Sequence, residues 1–307
     1  MTVIDIQHLF KTYPGPLFKP RVTALSDICI QVAEGEVFGF LGQNGAGKTT
    51  TLKIMMGLNR ATSGTITLLG RTHTHHAVRA RIGYLPEHPY FYDYLTAREF
   101  LTLYARLFDL KRFDPLPLLR QVGLEDDLHR RLRKFSKGML QRVGIAQALI
   151  NDPALLMFDE PMSGLDPMGR RLVRDLIMDL KARGKTVFFS SHIISDIETL
   201  CDRIAILHKG AIKAVGAINA LIQPGGFQKQ VVFTGLSDAG RQAFGARGWV
   251  PTAVIGGLAV SARSDQDVWH ILDLVQKHDG RIVTLSDVKP SLEAFFMRTI
   301  SETGGAP

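Results

Sequence analysis

Nowhere in its 307 residues does the chain stay apolar for the about 18–20 residues that a membrane-spanning helix takes. The amino terminus, MTVIDIQHLF, carries acidic and polar residues where a secretion leader would run apolar. These two absences predict a cytoplasmic chain, unless a partner brings it to a membrane. Low-complexity tracts are also missing, and 45% hydrophobic with 21% charged residues is the balance of an ordinary globular protein. Cysteine is nearly absent. Cys29 and Cys201 stand alone in the apolar segments DICIQV and TLCDRIAIL, so they make no disulfide framework or zinc site and are expected to be buried structural thiols. Acid is the scarcer charge: 37 basic against 29 acidic residues leave a net +8. That excess suits an anionic membrane surface or a nucleic acid and does not choose between them.

What is present alternates in character. TVIDIQ and ICIQV have the period of half-buried strands. GEVFGFLGQNGAGKTTTLKIMMGL reads as a short apolar strand, a glycine-rich turn and a helix, and SGTITLLG and RIGYLP add strand-like pieces. From about residue 87 to 150 the pattern turns helical, with Phe100, Leu103 and Leu107 on one face of TAREFLTLYARLF. ALLMFDEP is a continuous apolar run, the mark of a strand buried on both faces of a parallel sheet. A helix, the strand TVFFSSH, the helix ISDIETLC and the strand RIAILHKG follow. This is an α/β core interrupted by a helical insert.

A Gly/Pro break after INALIQPGG separates a second unit, so the expected division is 1–226 and 227–307. The second unit reads strand, helix, hairpin around Gly256–Gly257, helix and strand, a βαββαβ order that fits a small ferredoxin-like domain. A last helix, PSLEAFFMRTI, has an apolar stripe that could cover this domain or pair with a second chain.

The residues that carry chemistry begin with GQNGAGKT, Gly42 to Thr49, placed between a strand and a helix. Gly42, Gln43, Asn44, Gly45, Ala46 and Gly47 form a loop whose backbone N–H groups can wrap a polyphosphate, continued by Lys48, Thr49 and Thr50. Lys48 would neutralise β- and γ-phosphates, and the Thr49 hydroxyl would ligate Mg²⁺. Asp159, ending the buried run LLMFDE, is placed to reach the same ion, and Glu160 is a candidate base for an attacking water. A second phosphate cap stands far downstream in FSKGMLQRVGIAQAL, where Ser136 and Gly138 open a helix and free N–H groups point along its positive dipole end. One chain has no need of two.

In the order GQNGAGKT, FSKGMLQR, LLMFDEP, SGLD and SSH, these motifs resemble the ATP-binding subunit of ATP-binding-cassette (ABC) transporters, over roughly residues 1–220. The SKGM variant, YLPE and the appended domain look most like the exporter subgroup that serves a separate six-helix permease, as in bacterial drug and polysaccharide exporters. The implied fold is a P-loop ABC ATPase core, α/β, with a helical subdomain at about 87–150. The resemblance implies Tyr13 as the aromatic that stacks on adenine and His192 as the histidine that holds the γ-phosphate. Glu87 falls where the family usually has a glutamine that senses Mg²⁺ and water. Asp166 matches the loop that crosses the dimer interface. Ser136 and the Gly138 N–H would contact the γ-phosphate of ATP held by the other subunit, and Lys137 and Met139, which replace the usual glycine and glutamine, would be among the further contacts with that ATP. The implied machine is a homodimer that sandwiches two Mg·ATP and drives the permease from the membrane's inner face.

The rival reading is a soluble ABC ATPase acting on nucleic acid or ribosomes, consistent with the basic charge. A single cassette without an extended heptad insert argues against it. His73, His75 and His76 read as a solvated loop, and Arg130, Arg131, Arg133 and Lys134 as a solvated face. Tyr90, Phe91 and Tyr92 are candidates for a permease contact or for subdomain core.

Overall fold

The computed structural model describes residues 1–15, 21–222, 229–287 and 291–302. The Gly/Pro break read at the end of INALIQPGG, residues 224–226, lies outside them. The chain divides into two compact units, Met1–Leu221 with Phe296–Pro307, and Ile222–Phe295.

The first unit opens with the long strands β1 (Thr2–Tyr13) and β2 (Val22–Ala33). Next come β3 (Val37–Gly42) and α1 (Lys48–Met55), then β4 (Ser63–Leu68), β5 (Arg71–Thr72), the short α2 (His76–Arg79) and β6 (Ile82–Leu85). The helical stretch holds α3 (Ala97–Leu107), α4 (Leu116–Gln121) and α5 (Lys137–Ala148). Then β7 (Leu155–Asp159), α6 (Pro167–Ala182), β8 (Thr186–Ser191), α7 (Ile194–Leu200), β9 (Arg203–His208), β10 (Ala211–Ala217) and α8 (Ile218–Leu221) complete it.

One sheet, in the order β2-β1-β4-β5, is antiparallel. The other runs β10-β9-β3-β8-β7-β6 and is mixed: β9, β3, β8, β7 and β6 are parallel, and β10 returns antiparallel at the edge. Every residue of β3, β7 and β8 is buried, as expected of parallel strands covered on both faces. Phe38 and Phe188 stack there with ring centroids 5.7 Å apart. The register sets Leu41 beside Ser191 and Asp159 beside Ser190, so β3, β8 and β7 end together at one sheet edge. Ligands of open α/β sheets bind outside such carboxyl ends.

Local chemistry fixes the helical insert. Thr96 and Glu99 form a reciprocal capping box at α3: the Thr96 hydroxyl accepts from Glu99 N at 3.2 Å, and Glu99 Oε2 accepts from Thr96 N at 2.8 Å. Of the expected face, only Phe100 is buried; Leu103 and Leu107 are exposed. The buried stripe is Ala97, Phe100, Leu101 and Ala105, the i, i+3, i+4, i+8 spacing of a helix that turns a different side inward.

The two cysteines differ in burial. Cys201 is half-buried, with its sulfur turned inward 2.6 Å from where a Cβ on Gly39 would stand, and burial pushes its thiol well up. Cys29, in contrast, is exposed. Strand β2 buries Leu25, Ile28, Ile30 and Val32, and the two-residue period puts Cys29 on the outer side with Asp27 and Gln31.

The second unit runs β11 (Lys229–Thr234), α9 (Asp238–Ala246), β12 (Thr252–Val254), β13 (Gly257–Ala262), α10 (Asp265–Lys277) and β14 (Arg281–Asp287), and α11 (Leu292–Glu302) follows. Its sheet is antiparallel throughout, ordered β12-β13-β11-β14. Phe233, Phe244, Ile271 and Val275 form its core, with Trp249 packed against them. Among the described residues, no helix is long and apolar enough to cross a membrane.

Candidate functional site

At the shared end of β3, β8 and β7 lies a cavity of about 190 Å³ lined by Gln43, Asn44, Gly45, Gly47, Lys48, Thr49, Thr50, Glu87, Glu160 and Ala24. The loop from Gly42 to Gly47 wraps one side. Gly47 has a φ of +113°, and a Cβ there would lie 2.7 Å from Leu25 Cδ2 and 2.9 Å from Ala24 O. Only glycine fits both the backbone conformation and the space. This geometry starts α1 with its free N–H groups at the cavity, where anions are favoured.

Lys48 is buried beneath the loop. Its ammonium donates to Gly42 O at 2.7 Å and lies 3.1 Å from Glu160 Oε1. That second approach is an ion pair outside hydrogen-bond alignment, since Glu160 Oε1 has no hydrogen-bond partner. Glu160 is 6% exposed, so the pairing is what makes its charge tolerable. Its other oxygen, Oε2, lies 2.8 Å from His192 Nδ1. The Glu160 backbone is left-handed, φ +53°, and its N–H is shared between Ser190 Oγ at 3.1 Å and Ser190 O at 3.2 Å. A non-glycine residue in that conformation is uncommon and costs stability, which local hydrogen bonding must offset.

Beside it, Asp159 is fully buried at the end of β7. Ser190 Oγ donates to Asp159 Oδ1 at 2.6 Å, and Oδ2 has no partner. Burial holds this carboxyl above its ordinary range, against the pull of the Ser190 and Thr49 hydroxyls. Thr49 Oγ1 donates to Glu87 Oε2 at 3.4 Å, a long contact. The oxygens of Thr49, Asp159 and Glu87 are a hard donor set with one buried carboxylate oxygen unused, which fits a small divalent cation such as Mg²⁺.

The other expected residues lie off this cavity. Tyr13 accepts from Asn59 Nδ2 at 3.0 Å, and Lys11 sits over its ring at 4.6 Å. Ser136 is exposed and caps α5, accepting from Met139 N at 3.2 Å. Asp166 caps α6 in the same way, through Gly169 N at 2.8 Å. Within one chain these two caps adjoin: a Cβ on Gly138 would stand 3.3 Å from Gly164 O, and the Lys137 stem lies over Gly164. Tyr90 and Tyr92 are exposed, whereas Phe91 packs against Phe100 with centroids 5.2 Å apart.

Sequence reasoning passed over two residues at the centre. Ser190 joins Asp159 to Glu160, and the serine pair before His192 in SSH was its only trace. Gln141 is buried in α5 and donates from Nε2 to Glu160 O and to Pro161 O, both at 3.3 Å. A polar side chain at a core position of a helix was its signal.

The geometry agrees with what the chain matches. The family model described as ABC transporter matches residues 25–163. An uncharacterised ABC transporter ATP-binding protein of Synechocystis sp. is 40% identical over 98% of this chain and 84% of its own length. The bacitracin transport ATP-binding protein BcrA of Bacillus licheniformis is 44% identical over 69% of this chain and 68% of its own. Among solved structures, an ATP-binding subunit of an ABC transporter superposes with a TM-score of 0.64 at 30% identity, covering 88% of this chain and 99% of that one. A dimeric ATP-binding cassette in a post-hydrolysis state, bound to ADP and Pi, gives 0.65 at 25% identity over 70% and 98%. The chain belongs to the ATP-binding subunits of ABC transporters.

Proposed function

We propose that two copies of this chain close around two Mg·ATP and that hydrolysis drives a separate membrane permease for export. The observation that carries the chemistry is Glu160, buried at the cavity wall between Lys48 and His192. In this reading the loop N–H groups and Lys48 hold the β- and γ-phosphates. Glu160 takes a proton from the attacking water. His192 orients that carboxylate through Nδ1 and leaves its other ring nitrogen for the γ-phosphate. Thr49, Asp159 and Glu87 would hold Mg²⁺, whose contribution when bound is neutralisation of phosphate charge. Tyr13 would stack on adenine. Positioning and charge stabilisation then carry most of the catalysis.

The dimer rests on Ser136, Lys137, Gly138, Met139 and Asp166, which stand together away from the chain's own cavity. In a partner they would meet the second ATP. Dimeric relatives support this arrangement. Export is supported by BcrA and by the fluoroquinolones export ATP-binding protein of Mycobacterium tuberculosis, 42% identical over 69% of this chain and 70% of its own. The exposed Tyr90 and Tyr92 are the offered contact for the permease, which would keep the chain peripheral on the inner membrane face. Residues 227–307, which hold most of the second unit, we read as a ferredoxin-like accessory domain, supported by the element order and the 2-3-1-4 strand order within it.

Glu160→Gln tests the assignment. Removing the base while preserving shape should lower turnover at least about 100-fold, within the range general-base losses reach. ATP binding should persist, and a nucleotide-bound dimer should accumulate on gel filtration. Turnover near that of the unaltered protein would remove Glu160 from the base role.

A further inference from the structure

Three to five residues along β2 from Ala24, three side chains of different chemistry meet on the outer side of the antiparallel sheet. His8 comes from β1, and Asp27 and Cys29 come from β2. His8 Nδ1 lies 2.8 Å from Asp27 Oδ1 and 3.8 Å from Cys29 Sγ, and Cys29 Sγ lies 3.9 Å from Asp27 Oδ1. All three are exposed, and they are the set of metal-capable groups that the described residues bring this close.

The backbone is shaped to bring them together. His8 and Asp27 are both left-handed, with φ +49° and +54°, in a stretch where the β1–β2 register slips between Ile6 and Leu9. Strand β4 closes in from behind: a Cβ on Gly64 would lie 2.3 Å from His8 O. The His8 N–H donates to Cys29 Sγ at 3.2 Å, which orients the sulfur. Left-handed non-glycine residues cluster where a site demands them.

We infer that His8, Asp27 and Cys29 form a site for a borderline-soft divalent metal of the zinc class. In a tetrahedral site with bonds of about 2.0–2.3 Å, neighbouring donor atoms stand about 3.3–3.6 Å apart. The observed triangle of 2.8, 3.8 and 3.9 Å reaches that geometry with shifts of about half an ångström in exposed side chains. Nitrogen and sulfur donors select against Mg²⁺, which takes oxygen, so this site and the nucleotide cavity would not compete for one ion. On binding, a metal–sulfur bond forms, the Cys29 thiol proton leaves to solvent, and water fills the fourth position. The ion would clip β1 to β2, the strand whose Ala24 walls the nucleotide cavity.

The test is a Co²⁺ titration of the full chain, with Zn²⁺ as competitor. One Co²⁺ per chain should give a thiolate-to-metal charge-transfer band that Zn²⁺ abolishes. Cys29→Ser should lose the band, and His8→Asn, which keeps a residue tolerant of the left-handed conformation, should weaken Co²⁺ binding at least about 10-fold. Cys201→Ser and a variant with His73, His75 and His76 changed to alanine should retain both. Mg²⁺-dependent ATP turnover of the Cys29 and His8 variants should match the unaltered chain, showing that they fold. No thiolate band in the unaltered chain, or a band that survives Cys29→Ser, overturns the site.

Discussion

Replacing Ser190 with alanine isolates the hydroxyl that joins Asp159 to Glu160. It donates to Asp159 Oδ1 at 2.6 Å and accepts from Glu160 N at 3.1 Å. Glu160 N keeps its second acceptor, Ser190 O, at 3.2 Å, so little is lost there. Asp159 loses a charge-assisted bond while buried, and its other oxygen already lacks a partner. Loss of a hydrogen bond to a charged group costs about 1.5–3 kcal/mol. Taking about 2 kcal/mol, a unit of this size should melt about 4–8 °C lower. The pH dependence has a definite sign. Burial raises the Asp159 carboxyl above its unfolded range, so the cost of ionising it is absent in acid and sets in as pH rises through its folded pKa. Removing Ser190 takes away a group that lowers that pKa, so the variant's deficit should be largest at neutral and alkaline pH and should shrink toward acid. Calorimetry and far-ultraviolet circular dichroism at several pH values measure it. Trp249 and Trp269 both belong to the second unit, so tryptophan fluorescence provides a reference transition that should stay in place. An unshifted first transition, or a deficit that grows toward acid, would refute the reasoning.

Ser136→Ala removes the cap of α5 and should cost about 1 kcal/mol of stability. It should also reduce ATP-dependent dimerisation on gel filtration; an undiminished dimer with ATP would count against contact with the partner's nucleotide. Truncation to residues 1–227 should leave a chain that binds ATP with unchanged affinity by fluorescent-nucleotide titration, and loss of binding would contradict the proposed division of the chain.

The nucleotide cavity was legible because its motifs are local. GQNGAGKT is contiguous, and the buried run LLMFDE carries its acids at a strand end, so spacing along the chain maps onto spacing in the site. Ser190 and Gln141 were not legible, because their partners lie 31 and 19 residues away across β8 and α5. Their roles follow from strand order, which a linear reading does not supply. Cys29 was misjudged by weighing its apolar neighbours instead of its phase: Ile28 and Ile30 face inward, and the residue between them must face out. Leu103 and Leu107 fail in the opposite sense. Their spacing is helical, but the insert meets its core along Phe100 and Leu101 and leaves the leucines outside.

Gln141 gives the molecule a mechanical property. The helix that presents Ser136 also grips, through the Gln141 amide, the carbonyls of Glu160 and Pro161. In the proposed dimer, the cap of that helix touches the partner's ATP, and little more than one turn further along Gln141 steadies the backbone of Glu160. A displacement of about one ångström at the cap would be felt at Glu160 because packed interiors transmit strain. The two nucleotides would thus be read by a single rigid lever, and hydrolysis at one would be timed by occupancy of the other.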